Sequence, residues 1–342
     1  MNAPLVTILM PVYNAALYVK EAVDSILNQT FTDFELIIFN DGSTDESSKV
    51  LNAIKDERII LHDYKNNSGY VAHLNEGLRM AKGLYIARMD ADDIALPERL
   101  AKQVALLNRE PNVGLCGTRY QMFGTLNGVI QLPEDDKQIR EFMLEHSPMG
   151  HPTVMFRKAI VDQYKLAYDK TFMPSEDYKM WYDFSKVSEL RNLPEVLLHY
   201  RVHPHQISLY QNETQRAHAD AVRILQLTDK GFELTPEEQI LYCRILGQHT
   251  FFENAAEFNA ALDLMQKMIA MNTRLRAYDA DLLVKIFSNS WHRIICNITK
   301  FTPAYLVPVL IRHKPITQYL TFIDKVKFAL KTIVRWNTAL QH

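Results

Sequence analysis

The chain has 342 residues, of which 47% are hydrophobic and 23% charged, as in folded globular proteins rather than disordered or fibrous ones. A formal net charge of −2 gives no overall attraction to nucleic acid. Three cysteines, Cys116, Cys243 and Cys296, lie too far apart for a metal cluster or a disulfide framework. With no signal-like leader and no apolar run of about 18 residues, we expect a cytoplasmic protein without a transmembrane helix.

Two strand–turn–helix units begin the chain. The first is predicted as strand 6–10 (VTILM), turn 11–14 (PVYN) and helix 16–28. The second is predicted as strand 34–39 (FELIIF), turn 40–45 (NDGSTD) and helix 46–55. In the second turn Gly42 permits a tight bend, and Ser43, Thr44 or Asp45 can cap the helix.

The alternation of strand and helix continues to about residue 108. The predicted elements are strand 58–62, helix 70–81, strand 84–87 and helix 97–108. This series predicts an α/β fold with a mostly parallel sheet and helices on both of its faces. Ligands of such sheets bind at the carboxyl ends of the strands, so Asn14, Asp41, Asp90 and Asp92 are candidates for one crevice.

Three carboxylates, Asp90, Asp92 and Asp93, follow the strand at 84–87 directly. Carboxylates this close repel one another, and a divalent cation is the simplest compensation. Mg²⁺ and similar cations bind one or two carboxylates together with substrate phosphates, so the motif suggests metal-assisted handling of a phosphorylated substrate. The alternative is a solvated acidic loop before a helix that begins at Pro97.

The pattern is looser after residue 110. The predicted elements are strands 113–116 and 119–123, helix 134–145, strand 150–157, helix 176–184 and strand 196–202. The helix opens on Glu176 and Asp177, and the last strand leads into His203. From about residue 213 the pattern is helical, with weak breaks near 231–236, 272 and 303–315.

Taken together and in order, these motifs resemble the family 2 glycosyltransferases, which are inverting enzymes of the GT-A fold that use nucleotide sugars. The resemblance covers roughly residues 4–210. The motifs that carry it are TILMPVYN at 7–14, NDGSTD at 40–45, AKGLYIARMDADD at 81–93, PERL at 97–100, HPTVMFR at 151–157, EDY at 176–178 and YRVH at 200–203.

The resemblance implies a role for each residue of the predicted donor site. Pro11, Tyr13 and Asn14 match positions that hold the base and ribose. Asp41 matches the acid that accepts a hydrogen bond from uracil, although it could instead only cap a helix. The remaining acids match a group near the ribose (Asp90), a ligand of the divalent cation, Mn²⁺ or Mg²⁺ (Asp92), and a group that orients this ligand or caps the next helix (Asp93).

The resemblance also implies the groups that act on the acceptor and the diphosphate. Asp177 matches the general base, with Glu176 as the substitute base or a contact to sugar or acceptor. Both acids could alternatively serve only to favour the N-terminus of their helix. His203 matches a metal ligand and could, like Arg201, bind the diphosphate, or it could be a solvated loop residue. His151 could shape the acceptor side or simply pack in a loop.

We therefore expect two parts: a GT-A catalytic domain over 1–210 and a helical region over 211–342. The segment 300–342 has seven Lys or Arg residues against one acid, a formal charge of +6, with aromatic residues interleaved. This basic amphipathic pattern suits the anionic inner face of a membrane, and the alternative is a helix packed on its own domain. Nothing in it is typical of nucleic-acid binding.

The expected activity is transfer of a sugar, from UDP in the first instance, to a hydroxyl of a glycan or lipid-linked acceptor in cell-surface polysaccharide synthesis. Two alternatives come from other classes. A nucleotidyltransferase would usually carry a glycine-rich phosphate loop with a lysine near the first strand, and 11–18 has neither. A non-catalytic nucleotide-sugar-binding or scaffold protein at the membrane is disfavoured by the presence of both Asp92 and Asp177.

Overall fold

A computed structural model describes residues 3–203, 212–247 and 254–297, together with Val326 and Leu330. Apart from those two positions, the predicted amphipathic tail at 300–342 lies outside the described residues. The described chain confirms the α/β fold with helices flanking a sheet and a helical C-terminal region. Two compact units divide at Val222, and the expected boundary of the catalytic domain at residue 210 stays a prediction.

The first part of the sheet consists of four parallel strands in the order β3-β2-β1-β4. The strands are β1 (Val6–Val12), β2 (Phe34–Asp41), β3 (Ile59–Tyr64) and β4 (Tyr85–Arg88). The helices of this part are α1 (Val19–Leu27), α2 (Ser47–Ala53), α3 (Tyr70–Met80) and α4 (Arg99–Arg109). All four carboxyl strand ends therefore lie at the same edge of the sheet, as the sequence predicts.

Burial explains why the strands and helices of the parallel part could be predicted from the sequence. Every residue of β1 and β2 is buried, as expected for parallel strands covered on both faces. Helix α1 buries Val19, Ala22, Val23 and Ile26, whose spacing forms a single apolar stripe. The stripe packs with β1 and β2 in one hydrophobic core, and this burial is the main force that holds the layers together.

The second part of the sheet is mainly antiparallel, so the whole sheet is mixed. Its strands are β5 (Ile94–Ala95), β6 (Val113–Gly124), β7 (Gly128–Ile130), β8 (Met155–Arg157) and β9 (Glu189–Val202). Strand β8 runs antiparallel to both β4 and β6, while β6 and β9 are parallel. The sheet order after β4 is β8-β6-β9-β5, with β7 paired to β6.

Several elements of this second part differ from the predicted ones. The strands predicted at 113–116 and 119–123 are one strand, β6. The strand predicted from residue 150 begins only at Met155, because residues His151–Thr153 form a 3-10 turn that contains a proline. Strand β9 begins earlier than predicted, and its register against β6 shifts at a bulge: Pro194 and Glu195 are extra residues before Val196 pairs with Arg119, and Leu197 is a third before Leu198 pairs with Tyr120.

Three helices accompany the second part: α5 (Asp136–Phe142), α6 (Lys158–Tyr164) and α7 (Glu176–Val187). Helix α6 and the short strands β5 and β7 were not predicted, since each is too short to show a clear period. Helix α7 begins where the sequence placed it, with two acids in its first turn. Its N-terminus carries the predicted base.

Four helices complete the described chain: α8 (Asn212–Asp229), α9 (Pro236–Leu246), α10 (Ala255–Leu275) and α11 (Leu282–Asn297). Helix α9 begins with a capping box between Thr235 and Glu238. The break predicted near Asn272 lies slightly later in the chain: Asn272 is still within α10, which ends at Leu275, where Arg276 adopts a left-handed conformation. Among the described residues, no helix is long and apolar enough to span a bilayer.

Candidate active site

An acidic cluster lies immediately after β4, as the sequence predicted. Carboxylate oxygens of Asp90, Asp92 and Asp93 all lie within 4.8 Å of one another. Burial, together with the negative charge of Asp90, raises the pKa of Asp92. The same causes, with Asp92 added, raise the pKa of Asp93 well above its ordinary value. One oxygen of Asp93 is buried without a hydrogen-bond partner among the described residues, so the cluster has oxygen ligands and excess negative charge to offer a cation.

Strand β9 delivers two further predicted residues to this cluster. Nε2 of His203 lies 2.9 Å from Oδ2 of Asp92, and the imidazole ring packs against Tyr18. The backbone N–H of Arg201 donates to Asp93 at 2.8 Å, and its Nε donates to the Asp92 carbonyl at 2.7 Å. His203 is therefore placed beside the predicted metal ligand rather than alone in solvent.

The guanidinium of Arg201 is held in a defined position. It lies over the rings of Tyr18 and Phe123, at 4.8 and 4.5 Å from their centroids, and pairs with Glu21 of α1. With these contacts, Arg201 fixes the acidic loop against α1 and β6. Its predicted contact with the diphosphate stays a prediction.

The turns that follow β1 and β2 are tied to each other. The side chain of Asn14, a residue with a left-handed backbone (φ 50°), accepts a hydrogen bond from the backbone N–H of Thr44. Asp45 accepts from the backbone N–H groups of Ala16 and Ser47, so it caps α2 and anchors the first turn at once. Tyr13 remains 52% exposed beside this junction, where a base could stack on its ring.

Asp41, at the end of β2, is buried and already surrounded by donors. Its two oxygens accept from the backbone N–H groups of Ser68 (2.7 Å) and Gly69 (2.9 Å), and Nε2 of His73 lies at 2.7 Å. Asp41 therefore holds the start of α3, so the helix-capping alternative is consistent with these contacts, and its contact with uracil stays a prediction. His73 was not singled out in the sequence, where it reads as one more position on the buried face of a helix.

The predicted base lies at the start of α7. Asp177 is partly buried, and burial followed by the adjacent charge of Glu176 raises its pKa to about 7. Burial therefore outweighs the lowering effect that the N-terminus of a helix has on the pKa of a carboxyl. A carboxyl with a pKa near 7 can accept a proton at neutral pH and is strong enough as a base to do so usefully.

Glu176 is more deeply buried than Asp177, with 2% of the residue exposed. Its Oε1 accepts a hydrogen bond from the Tyr70 hydroxyl at 2.9 Å and lies 3.8 Å from Nδ1 of His151. Burial, and then the charge of Arg88, lowers the pKa of His151 well below its ordinary value, so the imidazole is neutral. His151 thus packs beside the two acids, against Trp181 and Tyr168.

Two buried arginines join these parts, and sequence reasoning gave a role to neither. Arg88 pairs with Asp90. Its charge also offsets part of the rise that burial causes in the pKa values of Glu176 and Asp177. Arg99, fully buried, donates to the Arg88 carbonyl at 2.6 Å. The sequence does contain a signal for these two arginines. Three clustered acids require compensating positive charge nearby, and the flanking arginines are the closest in sequence.

Comparison with known proteins agrees with this geometry. The family model described as Glycosyl transferase family 2 matches residues 7–164. A glycosyltransferase of Haemophilus influenzae is 34% identical over 66% of this chain and 74% of its own length. The chain belongs to the family 2 glycosyltransferases.

Further relatives of this glycosyltransferase extend the match in length and in fold. Rickettsia prowazekii has a glycosyltransferase, RP339, that is 29% identical over 87% of this chain and 95% of its own. S. aureus TarS in complex with UDP-GlcNAc shares the fold, with a TM-score of 0.57 at 16% identity over 84% of this chain and 92% of that one. A Pyrobaculum calidifontis mannosyltransferase, solved with GDP-Man and Mn²⁺, has a TM-score of 0.52 at 16% identity over 91% and 88%.

Proposed function

We propose that this glycosyltransferase inverts the configuration of the sugar it transfers, depends on Mn²⁺ or Mg²⁺, and uses a UDP-sugar as donor. The observation that carries the proposal is the junction at Arg88. This buried cation contacts the acidic cluster through Asp90 and also acts on the carboxyl of Asp177, whose pKa is about 7. An acidic cluster suited to a diphosphate-bound cation and a candidate proton acceptor are thus linked through one buried arginine.

The cation site is assigned to Asp92 and His203, with Asp90 and Asp93 beside it. Carboxylate oxygens and a neutral imidazole are both competent ligands, and one buried oxygen of Asp93 has no hydrogen-bond partner among the described residues, which fits a site with a ligand atom still to offer. A bound divalent cation supplies Lewis-acid stabilisation of the negative charge that develops on the departing diphosphate. Asp90 is assigned to the ribose side of the nucleotide.

Asp177 is assigned as the general base. One carboxylate oxygen of Asp177 accepts the proton of the acceptor hydroxyl, while the hydroxyl oxygen of the acceptor forms its bond to the anomeric carbon and the bond from that carbon to the diphosphate breaks. A single displacement of this kind inverts the anomeric configuration. Because ionised Asp177 is required, the reaction should run best above pH 7.

The donor base and ribose are assigned to the turn after β1, with Pro11, Tyr13 and Asn14, and to Asp41 at the end of β2. Because the Asp41 carboxylate already accepts hydrogen bonds from the start of α3, a uracil ring would contact a carboxylate whose position is already fixed. The UDP-GlcNAc bound to TarS supports a UDP-sugar, and the Mn²⁺ bound to the mannosyltransferase supports a divalent cation.

Nucleoside diphosphate release tests the proposal directly. Purified protein is incubated with UDP-sugars, with Mn²⁺ or with EDTA, and UDP is measured; release should require the cation. The anomeric configuration of a transfer product is read by NMR. Asp162→Asn, on the exposed face of α6, is the matched control for acid-to-amide changes. Retention of the donor configuration, or equal turnover in EDTA, contradicts the proposal.

We further propose that the acceptor is a glycan or a lipid-linked sugar in cell-surface polysaccharide synthesis, reached from the inner membrane face. The +6 charge of 300–342 and its interleaved aromatic residues support this placement. Sedimentation with anionic vesicles should carry down the full chain at low salt and less of it at moderate salt, since salt screens the attraction. Removal of 317–342 should leave the protein in the supernatant, and a full chain that never sediments contradicts the proposal.

A further inference from the structure

A hydrogen bond joins two halves of the chain at the candidate active site. The nucleotide half contains the parallel strands β1 to β4, and the second half contains β5 to β9 with α5 to α7. The Tyr70 hydroxyl donates to Oε1 of Glu176 at 2.9 Å, between residues 106 positions apart in the chain. Tyr70 is the first residue of α3, in the nucleotide half, and Glu176 is the first residue of α7, which carries Asp177. Each side chain thus lies at the N-terminus of its helix.

The Tyr70 end of this hydrogen bond is anchored to the predicted donor site. Asp41 accepts from the backbone N–H groups of Ser68 and Gly69, the two residues before Tyr70. Gly69 has a left-handed backbone (φ 86°), which sets the direction in which α3 leaves this anchor. A continuous path of short contacts therefore runs from the carboxylate of Asp41 to that of Glu176.

The carboxylate of Glu176 depends on the hydrogen bond from the Tyr70 hydroxyl. Its carboxylate is almost fully buried, and Oε2 has no hydrogen-bond partner among the described residues. His151, 3.8 Å away, is kept neutral by burial and gives no compensating charge. Burial raises the pKa of Glu176 and the hydrogen bond from Tyr70 lowers it, so the hydroxyl favours the ionised form.

We infer that Tyr70 is a positioning residue for the transfer reaction: through Glu176 its hydroxyl fixes the start of α7, and so Asp177, against the nucleotide half. The inference rests on the proposed function, in which Asp177 is the base. The inference also gives the two acids different roles: Glu176 holds Asp177 in place and does not substitute for it as the base.

The charges around the acid pair give this role a measurable signature. Besides burial, Glu176 on its own helix raises the pKa of Asp177 and Arg88 at the end of β4 lowers it, while Asp177 in turn raises the pKa values of Tyr70, Tyr120 and Tyr168. Glu176 is affected by Tyr70, Arg88, Asp90 and His151. Since ionised Glu176 raises the pKa of Asp177, any change that neutralises Glu176 lets Asp177 ionise at lower pH.

The test compares Tyr70→Phe, Glu176→Gln, their combination and a matched control. The control is Tyr85→Phe, which likewise removes a hydroxyl that donates to one side chain, Asn108, but at the start of β4. For Tyr70→Phe we expect kcat to fall about tenfold at pH 8, the loss typical of one hydrogen bond to a charged group, with the donor Kd within about twofold of wild type.

The pH profile distinguishes positioning from a general loss of structure. In Tyr70→Phe and in Glu176→Gln the acidic limb of the kcat profile should move to lower pH, and the double variant should show no further displacement. Tyr85→Phe should leave both kcat and the limb unchanged. The inference is overturned if Tyr70→Phe behaves like Tyr85→Phe, or if its effects on kcat and on the limb simply add to those of Glu176→Gln.

A second measurement needs no turnover. Titration of the side-chain carboxyl ¹³C signals of Glu176 and Asp177, assigned with Glu176→Gln and Asp177→Asn, reports their ionisation in ligand-free protein. Tyr70→Phe should raise the pH at which Glu176 titrates. If wild type fails to transfer sugar but this displacement is observed, the proposed function fails and the hydrogen-bond link stands. No displacement overturns the link itself.

Discussion

The two halves of the catalytic unit place their functional groups by different means. In the parallel half, β1 to β4 bring their carboxyl ends to one edge, so Asn14, Asp41 and Asp90 all lie at that edge as a result of the strand order alone. In the second half, Asp177 sits on a helix N-terminus fixed by long-range side-chain contacts such as that between Tyr70 and Glu176. The first arrangement follows from connectivity and the second from packing.

The largest effect is expected in the parallel half, where the strand order places the functional residues. Asp92→Asn removes a charge from the cluster and should reduce metal-dependent turnover to background. UDP affinity in Mn²⁺ should fall to the affinity measured in EDTA, because the variant no longer couples the cation to the diphosphate. Calorimetric titration of UDP with and without Mn²⁺ checks this. Equal UDP affinities in wild type with and without the cation contradict the assignment.

The corresponding change in the other half should separate chemistry from binding. Asp177→Asn leaves the donor contacts in place but removes the proton acceptor, so turnover should fall by about 10² or more. The Kd for UDP should stay within about twofold, again with Asp162→Asn as control. A collapse of donor affinity with a normal rate per bound complex would make Asp177 a binding residue.

The pKa of Asp177 predicts opposite pH trends for rate and stability. Turnover should rise about tenfold per pH unit up to pH 7 and then level off. For stability, the folded protein keeps on Asp177 a proton that the unfolded chain loses near its ordinary pKa of 3.8. The stability from this proton is complete below that value and is lost as pH rises through about 7.

Asp177→Asn should therefore be more stable than wild type at pH 8, and the difference should shrink toward pH 4. Thermal unfolding of both proteins across this range measures the effect. A variant that is less stable than wild type at pH 8 would show that the carboxylate makes favourable contacts that outweigh its burial.

The smallest effect tests whether the turn after β2 belongs to the donor half. Gly42 has φ 67°, and a Cβ there would lie 2.6 Å from the backbone carbon of Asn66. Gly42→Ala should cost about 1–3 kcal/mol of unfolding free energy, since the strained backbone must move. Donor affinity should weaken with it, whereas Gly117→Ala in β6 should cost stability alone. Unfolding in urea and UDP titration check both variants.

The same contrast explains what could be predicted from the sequence. Apolar strands and amphipathic helices of the parallel half are long and regular, and their turns are acidic, so both the fold and the acidic cluster were readable there. The second half has short elements such as α6 and β7, and a proline inside β9, which weaken the periodic signal.

Contacts between distant residues were out of reach for another reason. The hydrogen bond of Tyr70 to Glu176 and that of His73 to Asp41 depend on which helices the fold brings together, and no local pattern encodes them. Arg99 was noted as part of a motif, yet its full burial behind the acidic cluster follows only from the packing of α4. The base itself was found through the resemblance, not through periodicity.

The bulge at Pro194 and Glu195 has a consequence for how this strand can change length. Side chains of a strand alternate between faces, so every residue after the bulge, including Arg201, owes its orientation to the total number of extra residues there, with Leu197 counted beside Pro194 and Glu195. Deleting one residue there reverses the parity and turns Arg201 away from Tyr18 and Phe123. Deleting two restores it. Insertions and deletions at this point should therefore be tolerated in even numbers and rejected in odd ones.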